Sequence, residues 1–84
     1  MKLNELNKED EMKEVAEENN YYTSLLDFYL KHNQKVHMEM KNGRFYNGAI
    51  GEIFDDSFIL TETSLGEMPI FFSRIKVMEA FKER

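Results

Sequence analysis

The segment KVHMEMKNGRFYNGAIGEIFDD, residues Lys35–Asp56, decides the fold of this chain. Before the Asn42-Gly43 pair, polar residues alternate with three apolar ones: Val36, Met38 and Met40. A period of two places the apolar side chains on one face of a strand. Asn-Gly is a strong hairpin signal, because both residues accept the positive φ that a type I′ turn requires. The segment therefore predicts two antiparallel strands joined tightly at residues 41–43.

The second strand of this hairpin is long and contains two glycines, Gly48 and Gly51. Glycine weakens a strand interior unless the backbone bends there or another backbone approaches closely. Two glycines in one strand therefore indicate a strand that curls around a small barrel.

A helix is predicted before the hairpin, over residues 21–32. Its apolar residues recur at helical spacing on one stripe: Tyr22, Leu25, Leu26, Tyr29 and Leu30. Asn20 or Thr23 is a suitable residue to cap its start, and Asn33 suits its end. We expect this stripe to cover one end of the barrel.

Five strands are predicted in all, over residues 35–41, 44–54, 57–63, 67–73 and 75–81. In the last strand, Ile75 and Val77 alternate with Lys76 and Met78. Short strands separated by turn signals at about 8–12 residues are typical of a small barrel. The predicted fold is therefore mainly β: an SH3-type small barrel in which an N-terminal helix precedes five strongly bent antiparallel strands.

The negative net charge of the 84 residues is concentrated near the N-terminus. Residues 1–20 hold seven acids against three lysines, a net charge of −4, and residues 21–84 hold nine acids against eight bases, a net charge of −1. Residues 1–19 are predicted to be an acidic tail, partly disordered or forming a short helix, and residues 20–84 the folded domain. The nearly neutral barrel neither requires nor excludes a nucleic-acid partner.

Several functional classes have no support in the sequence. The chain has no cysteine, and its two histidines, His32 and His37, are not at metal-ligand spacing, so neither a metal nor a cofactor is expected. The acid pair Asp55-Asp56 is the usual composition of a turn, and no catalytic glycine or nucleophile motif is present, so an enzyme is not expected. No segment has the length of apolar residues that spans a membrane. We expect a cytoplasmic protein with no small-molecule substrate.

The hairpin segment resembles the first motif of the Sm-like family, in the version found in the bacterial RNA chaperone Hfq. The matching residues are Lys41-Asn42-Gly43, Gly48, Ile50, Phe54-Asp55 and Ile59-Leu60. One extra residue lies between Gly48 and Phe54 relative to that version, and the second Sm motif is divergent. The resemblance covers residues 21–81.

The resemblance implies a homo-oligomeric ring of about five to seven copies, closed by pairing between the fourth and fifth strands of neighbours. Apolar edge strands aggregate unless they are paired, which agrees with this arrangement. The subunit interface is therefore expected at Met68, Ile70, Phe71 and Phe72.

The resemblance also implies nucleic-acid contacts around the central pore. The residues expected there are Phe54 and Asp55 in the turn after the second strand, and Ser73 and Arg74 after the fourth. Lys41, Asn42 and Arg44 are expected to add contacts at the hairpin. Phe72 and Ser73 stand where the family has a Lys-His pair. Two alternatives stay open: that Phe54 belongs to the core, and that Arg74 pairs with a carboxylate of a neighbouring subunit.

Glu39 is a further departure from the family pattern. With Arg44 and Asn47 it matches the positions that hold adenines in Hfq, but a carboxylate repels phosphate. The functional hypothesis is thus a ring that binds single-stranded RNA, or alternatively DNA, with a role in nucleic-acid processing. The other hypotheses are an oligomeric protein-interaction scaffold that has lost RNA binding, and a monomeric SH3-like barrel.

Overall fold

The computed structural model describes the backbone of residues 3–82 and the side chains of residues 15–82. The order of elements is the predicted one, a helix followed by five strands. Their bounds are α1 Leu3–Lys31, β1 Val36–Met40, β2 Phe45–Ile53, β3 Ser57–Glu62, β4 Gly66–Phe71, a short 3₁₀ helix η1 Phe72–Arg74, and β5 Ile75–Ala80.

The helix is much longer than predicted, since α1 begins at Leu3 and not near residue 21. The predicted helix start near residue 21 is therefore wrong. The division into an acidic tail over residues 1–19 and a folded domain over residues 20–84 stays a prediction, and Met1 and Lys2 lie outside the described residues. The physical reason is that residues 3–20 are rich in good helix formers and contain no glycine or proline. Thr23 lies inside the helix, where its hydroxyl donates to the carbonyl of Asn20 at 3.0 Å instead of capping the start. No helix among the described residues is long and apolar enough to cross a membrane.

The helix ends where the sequence predicts. Asn33 adopts a left-handed backbone with φ of 52°. The amide of Gln34 donates to the carbonyl of Tyr29 at 2.9 Å, which satisfies one of the last carbonyls of α1. The chain then enters β1 directly.

All five strands form one antiparallel sheet in the order β4-β3-β2-β1-β5. The edges of a flat sheet of this width would lie about 19 Å apart at 4.8 Å per strand. Yet β4 and β5, the two edges, are connected by the three residues of η1, which span only about 6 Å. The sheet must therefore curl into the small barrel that the glycines of β2 predict.

The core lies inside this curl and under one face of α1. Val36, Met38 and Met40 are buried, as their alternation predicts. Among residues 15–82, the other buried apolar residues are Tyr22 and Leu26 of α1 and Ile50, Phe58, Leu60, Ile70, Phe72 and Ile75 of the barrel.

The β1–β2 hairpin is tight, but its turn is not of type I′. The amide of Gly43 donates to the carbonyl of Met40, and the amide of Met40 donates to the carbonyl of Arg44. Gly43 has φ of 86°, whereas Asn42 is not among the residues with positive φ. This pattern is that of a type I turn followed by a glycine bulge. Asn42 instead accepts the amide of Arg44 on its side-chain oxygen, so it stabilises the turn without a left-handed backbone.

The pairing of the strands contains two register shifts, one between β2 and β3 and one between β1 and β5. In β2, Ile50 pairs with Leu60 and Ile53 with Phe58, so β2 holds one extra residue there. This extra residue forms a β-bulge. A second shift, between Glu39 and Met40 on β1, sets an extra residue in β5.

The second shift corrects one prediction about β5. Val77 is 46% exposed, whereas Met78 packs against the core. The bulge after Ile75 reverses the expected alternation, because one inserted residue turns every following side chain to the opposite face.

Candidate nucleic-acid interface

The 3₁₀ helix η1 is held at both ends by backbone hydrogen bonds. At its start, the amide of Phe72 donates to the carbonyl of Asp56 in the β2–β3 turn at 3.0 Å. At its end, the carbonyl of Arg74 accepts from the amide of Lys41 in the hairpin at 2.9 Å. The sequence predicts that both of these turns contact nucleic acid. The three residues of η1 therefore connect the two turns, one at each end.

Phe72 anchors η1 from below and is fully buried. Its ring stacks on Tyr22 of α1 at 5.2 Å and on Phe58 of β3 at 6.4 Å between centroids. The side chains of Phe72 and of Ile70, which is 2% exposed, therefore face the core of their own chain. Their expected place at a subunit interface stays a prediction, and it concerns their backbone. The predicted fourth strand ran to residue 73, but the chain turns into η1 at Phe72 because this ring points into the core.

A cleft of about 240 Å³ lies between the hairpin, β4 and η1. Its lining includes Lys41, Asn42, Tyr46, Met68, Phe71 and Arg74. Three of the predicted contact residues, Lys41, Asn42 and Arg74, thus come together with three of the predicted interface residues, Met68, Ile70 and Phe71.

The chemistry of this cleft is cationic and aromatic. Lys41 and Arg74 are exposed, and neither forms an ion pair with any carboxylate among residues 15–82. Phe71 is 49% exposed beside them. An unpaired ammonium and guanidinium attract phosphate, and an exposed ring stacks on bases.

Phe54 and Asp55 lie in the β2–β3 turn and are exposed. The amide of Phe54 donates to the carbonyl of Ser57 at 2.8 Å, which closes the turn. The side chain of Phe54 is 43% exposed, so the alternative that Phe54 belongs to the core is not supported. Asp56 follows Asp55 in this turn, and its backbone carbonyl accepts the hydrogen bond from Phe72 at the start of η1. Ser73, the residue after Phe72, is exposed.

Arg44 is separate from this group. It is exposed and does not line the cleft, and its amide donates to Asn42 Oδ1 at 3.0 Å. The structure therefore divides the predicted contacts into a cleft group, a β2–β3 turn group and Arg44.

The outer face of the hairpin is polar and locally balanced in charge. Glu39 faces Lys76 of β5 at 3.5 Å, and the ring of His37 is hydrogen-bonded to the side chain of Asn47. The ring of His37 also stacks on the exposed Phe45, with 5.7 Å between centroids. The ammonium of Lys76 partially neutralises the carboxylate of Glu39 on this face.

Tyr46 is a cleft residue that the sequence reasoning missed. It pairs with Met38 across the hairpin and packs against the core. The signal was present in the alternation of β2, which puts Tyr46 on the same face as Gly48 and Ile50 and so at the rim of the barrel.

Glu62 organises the far end of the sheet. Its carboxylate accepts the amides of Ser64 at 2.6 Å and Leu65 at 3.2 Å from the β3–β4 turn, and that of Asn47 at 3.1 Å from β2. These hydrogen bonds, above all that from Ser64, lower the pKa of Glu62 below its usual 4.5. The Glu62 carboxylate therefore stabilises the β3–β4 turn, and its contacts give no indication of a ligand. Among the described residues, no three His, Asp or Glu side chains form a group that could hold a metal.

No family model and no curated protein matches the chain. Among solved structures, it is similar to the 1.55 Å crystal structure of the pleiotropic translational regulator Hfq, with a TM-score of 0.61 and 17% sequence identity. The match covers 69% of this chain and 95% of the Hfq chain.

This chain has the Hfq fold. The N-terminal helix followed by five antiparallel strands agrees with the fold that the sequence motif implied. The likeness to Hfq extends over nearly all of the Hfq chain, although few residues are identical.

Proposed function

We propose that this protein forms a homo-oligomeric ring of about five to seven copies that binds nucleic acid in the cytoplasm, with single-stranded RNA as the first candidate and DNA as the second. The observation that carries the proposal is the fixation of η1 between the two turns. It places Lys41 and Arg74 on one cleft, beside the exposed ring of Phe71.

The two sheet edges support the ring. β4 and β5 are the outer strands of the sheet, and each exposes an apolar side chain, Phe71 on β4 and Val77 on β5. An edge strand of one copy is complementary to the other edge of the next, and a head-to-tail contact of this kind closes into a ring. Of the expected interface residues, Met68 and Phe71 remain as side-chain contributors, because Ile70 and Phe72 are in the core.

The cleft and the β2–β3 turn support nucleic-acid binding. Lys41 and Arg74 supply phosphate contacts, and Phe54 supplies an exposed ring for stacking, worth about 1–3 kcal/mol per base. A site this small binds weakly alone. Repetition around a ring raises the total affinity, since each later contact is made within one complex. Asp55, Ser73, Asn42 and Arg44 are proposed to add polar contacts.

A protein-interaction scaffold is the second candidate. The net charge of −5 favours it, because a nucleic-acid-binding surface is usually basic. The burial of Phe72 at a position where the family places a cation also favours it.

Two measurements test the proposal. Light scattering on the full chain is expected to give a mass of about five to seven copies, and a monomer mass would exclude the ring. Titration with short U-rich RNA, A-rich RNA and single-stranded DNA is expected to show binding that weakens as salt is raised. An intact ring that binds none of the three at low salt would favour the scaffold.

A further inference from the structure

The helix α1 has an exposed stripe on the side away from the barrel. Tyr22 and Leu26 bury one face of α1 against the core. On another face, Tyr21 is 62% and Phe28 56% exposed, seven residues apart. Ser24 lies between them and is exposed, and together with Leu25 these residues line a shallow groove on the helix surface.

Two acidic residues flank one end of this stripe, and a lysine and a histidine flank the other. Glu17 and Glu18 lie one turn before Tyr21, and both are exposed. Lys31 and His32 lie one turn after Phe28, and the His32 ring contacts the Phe28 ring with 4.4 Å between centroids. Lys31 pairs with Asp27 at 2.9 Å, but this pair is well exposed and contributes little stability.

The stripe is complementary to itself when two copies of the helix run antiparallel. With the crossing point between Ser24 and Leu25, Tyr21 of one copy lies opposite Phe28 of the other. The same register sets Glu17 and Glu18 opposite His32 and Lys31 at both ends. The small side chain of Ser24 allows the two backbones to approach at the centre. An interface in which the same patch serves both copies is the requirement of two-fold symmetry.

We infer that the exposed stripe of α1, formed by Tyr21, Ser24, Leu25 and Phe28, is a contact site for α1 of a second copy in antiparallel orientation. This contact is two-fold and uses only the helix, so it is independent of the ring seam at β4 and β5. If the chain forms rings, this helix contact joins one ring to another. If the ring seam is broken, the same contact forms a dimer of two chains.

A single introduced cysteine tests the register, because the native chain has none. Ser24→Cys places a thiol at the crossing point, and mild oxidation is expected to convert most of the chain into a disulfide-linked dimer. Asp27→Cys is the matched control, since it is also exposed but lies on the flank of the helix. Equal crosslinking of both variants, or of neither, would overturn the inference.

A charge exchange tests the pairing itself, and it is made in a Phe71→Asp background so that the ring seam is broken independently. The parent in this background is expected to be a dimer by analytical ultracentrifugation. Glu17→Lys with Glu18→Lys, and separately Lys31→Glu with His32→Glu, bring like charges together in each homodimer and are expected to halve the mass. Mixing the two variants brings opposite charges together at both ends and is expected to restore the dimer. Far-UV circular dichroism checks that each variant is folded. A monomeric parent, or a mixture that stays monomeric, would contradict the two-fold helix contact without bearing on the ring.

Discussion

The backbone amide of Lys41 donates to the backbone carbonyl of Arg74 at 2.9 Å, so the tip of the hairpin and the end of η1 are fixed to each other without their side chains. Removing either side chain should therefore leave the fold intact. We expect Arg74→Ala and Lys41→Ala each to weaken binding of single-stranded RNA. Each should also reduce the slope of log affinity against log salt by about 0.7 for every phosphate that the protein no longer neutralises.

Lys82→Ala is the matched control for these two variants, because Lys82 is exposed and lies outside the cleft. It should change the salt slope little. If Lys82→Ala weakened binding as much as Arg74→Ala, the effect would be one of overall charge and not of the cleft.

Phe54 is expected to contribute to binding and little to stability, because its ring is 43% exposed in the β2–β3 turn. Phe54→Ala should lower affinity by about 1–3 kcal/mol for each base that stacks there. Phe54→Tyr, which retains a ring, should preserve it. Fluorescence anisotropy of a labelled oligonucleotide measures both, and equal loss in the two variants would argue against stacking.

Phe72 is expected to behave in the opposite way. Phe72→Ala removes a fully buried ring and should lower the free energy of unfolding by about 3–5 kcal/mol. Urea denaturation measures the change. A loss below about 1 kcal/mol would contradict the role of this ring as the anchor of η1, whereas Phe72→Leu should retain part of the stability.

Gly48 is expected to tolerate no side chain. A Cβ atom there would lie 2.1 Å from the carbonyl oxygen of Thr61 on β3, whereas at Gly51 the nearest atom, the carbonyl oxygen of Ile59, would be 3.1 Å away. Gly48→Ala should therefore cost about 1–3 kcal/mol or more, because the two strands must separate. Gly51→Ala is the matched control with a smaller cost. Equal melting temperatures for the two variants would show that β2 and β3 are not so close at Gly48.

Glu62 gives a prediction about pH. Its pKa is lowered in the folded state, so the carboxylate adds stability that is complete above its usual pKa of 4.5 and is lost as the pH falls through the lowered value. Glu62→Gln should be less stable than the native chain near neutral pH, because a neutral amide accepts weaker hydrogen bonds from Ser64, Leu65 and Asn47. The difference should shrink only below pH 4.5. A difference that stayed constant as the pH was lowered would argue against the charged form in the turn.

Much of the fold follows from local sequence. Val36, Met38 and Met40 alternate strictly, and Gly48 marks a close approach that the structure contains. These signals depend on neighbouring residues, so they can be recognised in the sequence. The bulge in β5 cannot, because it arises from pairing with β1 at Met40, and for this reason the alternation predicts the wrong face for Val77.

The site was less predictable than the fold. Lys41 and Arg74 could be named from the family resemblance, but their meeting at one cleft depends on the curl of the whole sheet. Phe72 shows the limit most clearly. In sequence it continues an apolar strand, and only its stacking with Tyr22 and Phe58, each distant along the chain, assigns it to the core.

The stack of Tyr22, Phe72 and Phe58 joins the helix to the strand edge that carries the cleft. Detaching α1 would expose Phe72 to water and free η1 from its inner support, so we expect the helix and the cleft to unfold together. Shortened chains that begin just before Tyr22 keep this unit, whereas those that begin after Leu26 lose it. The barrel therefore requires only the portion of the long helix that begins at Tyr22.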